Sequence, residues 1–242
     1  MRYLVVSDVH SNFPALQHVL MDAPDYDEVL CLGDLVGYGP NPNECVNRVR
    51  DLPVTCIAGN HDWGAIGRAD LAVFNREARE ALLWTQQQMT TSVTTFLSGL
   101  RPRLDLEDAL LCHGSPRDPV WEYMVDVRTA TASFRHYDFQ TCLVGHSHVP
   151  TFLEMPDPGE RAQFLSAELD TPMEMEGRRL ILNPGSVGQP RDGDPRASYA
   201  IFDTDAMTWT FRRVRYAVEI TQERMRAARL PVRLINRISV GR

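Results

Sequence analysis

The chain contains no lysine. All 25 of its basic side chains are arginines, and with 32 acidic side chains the formal net charge is −7 at pH 7. The absence of lysine by itself indicates no function. The absence of a net positive charge argues against a general nucleic-acid binder, because such proteins carry a basic electrostatic surface. Stable nucleic-acid binding is therefore not expected.

Cysteine pairs and long apolar runs are also missing. The five cysteines form no CxxC pair, which argues against a zinc ribbon or a thioredoxin-like site. Four of them lie in apolar runs, as is typical of small buried hydrophobes in a reducing compartment. No apolar run approaches the about 18 residues that span a bilayer, and the N-terminus has no signal-peptide layout. We expect a cytoplasmic protein without a membrane partner.

Short apolar runs alternate with helix-like stretches in the first 148 residues and then give way to consecutive strands. The predicted strands are Tyr3–Ser7, Glu28–Gly33, Val54–Gly59, Ala109–Gly114, Thr141–Gly145, Thr151–Met155, Ala162–Ser166, Arg179–Leu182, Ser198–Phe202 and Thr208–Arg215. The predicted helices are Pro14–Met21, Pro42–Arg50, Asn75–Met89, Arg128–His136 and Glu219–Arg229. This order predicts an α/β fold of one domain, residues 1–242: a four-layer αββα sandwich of two mixed sheets flanked by helices.

Polar clusters follow five of the predicted strands. They read Asp8-Val9-His10, Gly33-Asp34, Gly59-Asn60-His61-Asp62, His113-Gly114 and Gly145-His146-Ser147-His148, and hold five of the seven histidines. Open α/β sheets bind ligands at the carboxyl ends of strands. In an extended segment, residues two apart point to the same side. A lone loop histidine is more often solvated than metal-bound, but five such clusters in order predict a metal site.

The ordered set resembles the calcineurin-like metallophosphoesterases, whose motifs are DxH, GD, GNH[DE], H and GHxH. The resemblance covers residues 8–148 and extends more weakly to Asn183-Pro184-Gly185-Ser186-Val187-Gly188, a closing loop typical of small bacterial members. It implies a dinuclear hydrolase of phosphate esters, in which a metal-bridging hydroxide attacks phosphorus in line. It also implies two ligand sets: Asp8, His10, Asp34 and His148 for one metal, and Asp34, Asn60, His113 and His146 for the other.

The ligand chemistry agrees with that implication. Nitrogen and oxygen ligands without thiolate suit two divalent ions such as Mn²⁺, Fe or Zn²⁺. Asp34 can bridge by giving one oxygen to each ion, and Asn60 adds a ligand without adding charge. Two ions, two carboxylates and a hydroxide leave a charge of about +1, which attracts a phosphate oxygen.

His61 adjoins a metal motif without belonging to the ligand sets. The resemblance implies that His61 protonates the leaving-group oxygen, and that Asp62 orients or polarises its ring. The competing interpretation is a spare loop histidine.

Departures from the family narrow the substrate class. Protein Ser/Thr phosphatases of this superfamily carry an arginine soon after the bridging aspartate, in a GDxVDRG run, whereas this chain has Leu35-Val36-Gly37-Tyr38-Gly39 after Asp34. A protein phosphatase is therefore disfavoured. The chain is also short for the DNA-repair nucleases of the superfamily, which append a capping domain. A small phosphodiester is the expected substrate, as in small bacterial phosphodiesterases.

Four side chains near the motifs are candidate substrate contacts: Asn12, Tyr38, Arg117 and Arg191. Asn12 serves equally well as a helix N-cap, and Tyr38 as packing. An arginine can clamp a distal phosphate, and Trp121 or Tyr123 can stack a nucleobase, although surface cover is the commoner role of such aromatics. These contacts suit the alternative substrate class, a nucleotide or dinucleoside polyphosphate.

Three further questions remain open at the level of sequence. The basic segment Glu219–Arg242 favours an amphipathic surface helix over contact with nucleic acid or lipid. A non-catalytic scaffold, as in the retromer subunit that resembles this family, is the alternative from another class, although scaffolds lose ligands and here every position is filled. Nothing in the sequence indicates an oligomeric state.

Overall fold

The computed structural model describes residues 1–157, 159–166 and 168–242. Its strands are β1 (Arg2–Val6), β2 (Glu28–Cys31), β3 (Val54–Cys56), β4 (Arg103–Asp105), β5 (Leu110–Cys112), β6 (Thr141–Leu143), β7 (Thr151–Met155), β8 (Gln163–Phe164), β9 (Met173–Glu174), β10 (Arg179–Asn183), β11 (Ala197–Asp203) and β12 (Thr208–Val214). Its α-helices are α1 (Phe13–Asp22), α2 (Pro42–Arg50), α3 (Asn60–Ala65), α4 (Arg76–Gln88), α5 (Thr91–Gly99), α6 (Val127–His136), α7 (Val218–Ala227) and α8 (Val232–Arg237). A short 3₁₀ turn covers Leu71–Val73.

The strands form two mixed six-stranded sheets. The first has the order β3-β2-β1-β11-β12-β9 and the second the order β4-β5-β6-β10-β7-β8. β1 lies parallel to β2 and antiparallel to β11, with Leu4 opposite both Val29 and Ile201. In the second sheet β10 lies parallel to β6 and antiparallel to β7. The carboxyl ends of the parallel strands lie at one edge of each sheet. These strands are β1, β2 and β3 in the first sheet and β5 and β6 in the second.

The two sheets pack face to face because their strands alternate apolar side chains between opposite faces. Val5 of β1 joins Leu143 and Leu182 of the second sheet in one buried cluster. Its neighbours Leu4 and Val6 point the other way, into a cluster with residues of α1, α2 and α5. The outer face of the second sheet is covered by α6 in the same manner. The predicted four-layer αββα sandwich is therefore confirmed.

Several elements differ from the prediction. The predicted strands that precede the polar clusters end one to three residues earlier, so that the clusters lie beyond the strands, in loops or, for Asn60-His61-Asp62, at the start of α3. Helix α5 was not predicted, since its β-branched and hydroxyl residues have low helix propensity. Its stability comes from the buried side chains of Val93 and Leu97 and from the Thr90 cap, whose hydroxyl accepts from the Val93 amide. Strands β4 and β9 and helices α3 and α8 were missed as well.

The C-terminal helices fold back onto the α4 region. Met225 of α7 and Leu234 and Ile235 of α8 are buried in one cluster with Ala78 of α4 and with Tyr38. The Thr221 hydroxyl of α7 donates to the Asn12 side chain, 2.8 Å away. The end of the chain thus lies beside the loops that follow β1 and β2. In the described ranges, no helix has both the length and the apolar composition needed to cross a membrane.

Candidate active site

The predicted ligand residues lie just past the carboxyl ends of strands, in loops except for Asn60, which begins α3. Asp8 and His10 follow β1, Asp34 follows β2, Asn60 follows β3, His113 follows β5, and His146 and His148 follow β6. Each is at most 5% exposed. The structure therefore brings the five sequence clusters together in one buried place, between the edges of the two sheets.

The side chains form two adjacent groups, each with ligand atoms within 4.8 Å of one another. One group contains Asp8, His10 and His148, and the other contains Asp34, His113 and His146. Asn60 belongs with the second group, because its Oδ1 lies 3.2 Å from His113 Nε2. This grouping is the one that the resemblance implies.

Asp34 lies between the two groups, but it does so through a single oxygen. Its Oδ2 is 3.3 Å from His113 Nε2 in one group and 3.6 Å from His10 Nε2 in the other. Its Oδ1 accepts a hydrogen bond from the His61 amide at 2.8 Å. Oδ2 is therefore the Asp34 oxygen nearer to both groups, and whether each oxygen binds one ion stays a prediction.

Backbone carbonyls fix the orientation of the imidazoles. The Nδ1 atoms of His10, His113 and His148 lie 3.1, 2.8 and 2.6 Å from the carbonyl oxygens of residues 36, 32 and 189. A carbonyl oxygen only accepts, so each Nδ1 carries a proton, and Nε2 is the nitrogen left to bind a metal. Histidines that bind metals are held in this way.

The Nε2 atoms of these histidines point at one another and at carboxylate oxygens. His10 Nε2 and His148 Nε2 lie 3.1 Å apart, and Asp8 Oδ1 is 3.2 Å from His148 Nε2. Asp8 Oδ1 and Asp34 Oδ2 are buried without a hydrogen-bond partner among the described residues. Acceptors that converge without donors repel one another unless a positive charge lies among them. Both groups therefore fit divalent cations with nitrogen and oxygen ligands.

The pKa values of the site residues also reflect the negative charge of the two carboxylates. Burial by itself lowers the pKa of His113, but the neighbouring Asp34 carboxylate overrides it and raises the pKa to about 10. Burial opposes the ionisation of Asp8, yet His148 holds the pKa of this carboxyl below its usual value. The two carboxylates thus create a negative potential that stabilises a cation at this place.

Strained backbone conformations orient the side chains of the candidate ligands. Ten non-glycine residues in the described ranges have a left-handed φ, and seven of them lie in the site loops: Asp8, His10, Ser11, Asp34, Tyr38, His146 and His148. Each such residue costs about 1–3 kcal/mol and persists only where the surroundings hold it. The ligands two apart in sequence therefore converge through left-handed turns, and the expectation of an extended segment is wrong.

Two further features hold the loops close together. Gly59 lies against Asp34, and a Cβ at this position would lie 2.6 Å from the Asp34 amide nitrogen and 2.7 Å from its Cγ. The loop 183–188 closes the site from the other side. Its Ser186 hydroxyl donates to the Asp8 carbonyl at 2.8 Å, and its Asn183 amide donates to the Gly145 carbonyl at 2.7 Å.

His61 lies beside the metal groups, with its ring 4.9 Å from that of His10 and 4.3 Å from that of Tyr38. Its Nδ1 is buried without a hydrogen-bond partner among the described residues. It faces Gly37, where a Cβ would lie 2.6 Å away.

Asp62 does not orient this ring, which corrects the expectation from the sequence. Its Oδ2 accepts from the amides of Asp34 and Gly59 at 2.8 and 2.9 Å, and its Oδ1 accepts from Val36 at 3.2 Å. Asp62 instead joins the loops after β2 and β3.

The candidate substrate contacts separate into two classes. The side chain of Asn12 accepts from the Ala15 amide and donates to the Gly188 carbonyl, so that it caps α1 and has no donor left for a phosphate. The Arg117 guanidinium is paired with Glu122. Tyr38 and Arg191, by contrast, adjoin the histidines: the Arg191 guanidinium carbon lies 5.9 Å from the centre of the Tyr38 ring.

Some features of the site carry no sequence signal. The Tyr123 ring stacks on His146 at 3.8 Å, although it is 46% exposed. Trp121 contributes its backbone carbonyl, 3.2 Å from His146 Nε2, and Gln189 contributes its carbonyl to His148. Backbone oxygens are present at every residue, so only the fold reveals which of them hold a ligand.

The comparison with known proteins identifies the family. The model of the calcineurin-like phosphoesterase superfamily domain matches residues 1–207. The chain therefore belongs to the calcineurin-like phosphoesterases.

Individual relatives extend the comparison. A metallophosphoesterase from Sphaerobacter thermophilus, of solved structure, is 44% identical, with a TM-score of 0.92 over 100% of this chain and 99% of the other. An uncharacterized protein of Methanocaldococcus jannaschii is 37% identical, over 98% of this chain and 97% of that protein. A symmetrical bis(5'-nucleosyl)-tetraphosphatase of Serratia proteamaculans is 28% identical over 131 residues, which is 45% of this chain and 46% of that protein.

Proposed function

We propose that the protein is a dinuclear-metal phosphoesterase that hydrolyses a small phosphodiester. The observation that carries this proposal is the pair of buried ligand groups on either side of Asp34 Oδ2. Two divalent ions bound by these residues would supply Lewis acidity and would activate water for in-line attack on phosphorus.

The chain's own residues divide the remaining tasks. Asp8, His10, Asp34 and His148 would hold one ion, and Asp34, Asn60, His113 and His146 the other. The carbonyls bound to Nδ1 keep three of the imidazoles in the tautomer that binds metal. Asp62 positions Asp34 and the residue before Asn60 by accepting hydrogen bonds from the amides of Asp34 and Gly59.

His61 is proposed to protonate the leaving-group oxygen. Burial lowers the pKa of its imidazole to about 4, and Asp34 only partly offsets this. The ring is therefore neutral in the free protein. An anionic phosphate raises the pKa of a neighbouring imidazole, so that substrate binding itself favours the protonated form.

The preference for a diester rests on the residues after Asp34. The arginine of the protein phosphatases is absent there, and Tyr38 lies instead against His10 and His61. A diester carries one negative charge and a monoester up to two, so the lack of an arginine at this position favours the diester at the attacked phosphorus.

A second candidate function, hydrolysis of a nucleotide or dinucleoside polyphosphate, has two observations in its favour. The relative in Serratia proteamaculans is named for a bis(5'-nucleosyl) tetraphosphate, and arginines line a cavity beside Tyr38. A non-catalytic scaffold is disfavoured, because every position of both ligand groups is filled.

The test combines metal analysis with a substrate panel. Purified protein, the Asp34→Asn variant and the exposed control Asp25→Asn are analysed for bound metal and assayed with added Mn²⁺. The panel contains p-nitrophenyl phosphate, bis(p-nitrophenyl) phosphate, cyclic nucleotides and diadenosine tetraphosphate. We expect Asp34→Asn to lose metal, and to lose more activity than the about 10–100-fold typical of an outer-shell partner.

The control should match the parent protein in both measurements. Full activity in Asp34→Asn would refute the mechanism. Turnover of monoesters alone would refute the diester preference, and metal binding without turnover of any ester would favour the scaffold.

A further inference from the structure

A cavity of about 980 Å³ adjoins the active site on the side of the C-terminal helix. Tyr38, Tyr123 and Arg191 form its wall towards the site, and residues of α8 form the opposite wall. The Tyr38 ring contacts the rings of His10 and His61, and the Tyr123 ring stacks on His146. These two tyrosine rings thus lie between the cavity and the histidines of the site.

The cavity is basic in an acidic protein. Its lining contains four arginines, namely Arg191, Arg233, Arg237 and Arg242, against the single carboxylate of Glu77, whereas the whole chain carries a net charge of −7. Side chains of one sign that line a concave surface focus their field within it. The cavity therefore attracts anions although the protein as a whole repels them.

Three of the four arginines, namely Arg191, Arg237 and Arg242, have no acidic side chain as partner among the described residues. Arg237 uses its Nε–H for the Arg242 carbonyl, and its terminal nitrogens have no acceptor in the described ranges. Arg191 donates through Nη2 to the Gln189 side chain, and its buried Nε has no partner among those residues. Arg233 is the exception, with Glu77 Oε1 3.4 Å from its Nη1.

The unpaired charges are held near one another by the fold. Leu234 and Ile235 anchor α8 in the buried cluster with Tyr38, and Arg233 and Arg237, four residues apart, share one side of the helix. Burial, together with the positive charges of Arg191 and Arg233, lowers the pKa of Arg237. Half-buried cations that repel one another are costly unless an anion binds between them.

We propose that this cavity is an anion subsite that binds a second phosphate group of the substrate, remote from the phosphorus that is attacked. The substrate class is then a phosphate ester or anhydride with more than one phosphoryl group. The guanidinium groups of Arg191 and Arg237 recognise this second phosphate. The placement of the attacked phosphorus rests on the proposed function, whereas the binding of an anion in the cavity does not.

The first test measures binding without turnover. Inorganic tripolyphosphate is titrated calorimetrically into the full-length protein, without added metal, and into Arg237→Gln, Arg191→Gln and the matched control Arg226→Gln. Arg226 is an exposed residue of the same basic segment, outside the cavity. We expect Kd to rise about tenfold or more in the two cavity variants, as for loss of a charge-assisted hydrogen bond, and to stay unchanged in the control.

Equal affinity in all four proteins, or no binding to the parent, would overturn the subsite. Thermal unfolding of each variant verifies that it is folded. If Arg237→Gln does not fold, Arg191→Gln provides the test. Because no ester is cleaved, this result does not depend on the catalytic proposal.

The second test measures selectivity. The ratio of kcat/KM for diadenosine tetraphosphate to that for bis(p-nitrophenyl) phosphate, which has a single phosphorus, is compared between the parent and Arg237→Gln. We expect the ratio to fall about tenfold. Only diadenosine tetraphosphate has a second phosphate, and Arg237→Gln removes the contact with it. An unchanged ratio contradicts the subsite, while a parent protein that cleaves neither compound contradicts the catalytic proposal alone.

Discussion

Replacing Gly59 by alanine tests whether the metal groups depend on the close approach of two loops. The φ of Gly59 is −101° and its ψ is 178°, an extended conformation that alanine adopts freely. The only consequence of the added methyl group is therefore steric. It would overlap the Asp34 carboxylate and lie 2.6 Å from the Asp34 amide nitrogen, well inside the about 3.5–4.0 Å of normal contact.

The overlap cannot be relieved cheaply. Asp34 is held by the His61 amide at Oδ1 and, through its own amide, by the Asp62 carboxylate. Overpacking of a buried site costs about 1–3 kcal/mol. For a chain of this size each kcal/mol lowers the melting temperature by about 2–4 °C. We expect Gly59→Ala to melt about 2–12 °C below the parent, and to bind less metal because Asp34 is displaced.

Gly99→Ala provides the matched control. Gly99 ends α5, and a Cβ there would meet no atom within 4 Å. The same chemical change should then be neutral, or stabilising by up to about 1 kcal/mol, because alanine restricts the unfolded chain more than glycine does. Melting is followed by circular dichroism, and metal per chain by elemental analysis. If Gly59→Ala melts with the parent and retains its metal, the reasoning about close approach is wrong.

Two other substitutions separate catalysis from stability. His61→Gln should keep its metal content but lower the rate about 10²–10⁴-fold on an ester with a poor leaving group, and less on a p-nitrophenyl ester; an equal loss on both esters in steady-state assays would contradict the proton-donor role. Leu182→Ala, at a fully buried position between the sheets, should destabilise by about 2–5 kcal/mol in urea unfolding. Leu83→Ala, where the leucine is 46% exposed, should change stability far less, and a comparable loss at both positions would argue against the two-sheet core.

The fold could be predicted from sequence where local pattern and tertiary burial agree. In β1 the apolar run Tyr3-Leu4-Val5-Val6 fills both faces of a central strand, and its periodicity is visible without any partner. Helix α5 is the opposite case. Its threonines and serines disfavour a helix, and only the packing of Val93 and Leu97 against other elements forms it.

Within the candidate site, the residues that come together could be predicted and their interactions could not. Residue type and order mark Asp8, Asp34 and His148 as candidate ligands. The position of Asp62 next to His61 in sequence, together with the family resemblance, predicts that Asp62 orients that ring, but its carboxylate accepts hydrogen bonds from three backbone amides. Hydrogen bonds across the fold are decided by which loops meet, and the spacing along the chain does not contain that information.

The basic C-terminal segment shows the same limit at longer range. Its charge pattern favours an amphipathic surface helix, and Leu234 and Ile235 of α8 are indeed buried on one side. The pattern does not indicate that Arg237 lines a cavity shared with Arg191, 46 residues earlier in the chain. That juxtaposition depends on α8 packing beside Tyr38.

The family model ends at residue 207, whereas α7 and α8 begin at Val218 and Val232. The residues of both ligand groups therefore lie inside the matched range, and the helix that borders the neighbouring cavity lies beyond it. If the cavity binds a second phosphate as proposed, relatives with the same metal motifs but without arginines in α8 should lose the preference for substrates with more than one phosphoryl group.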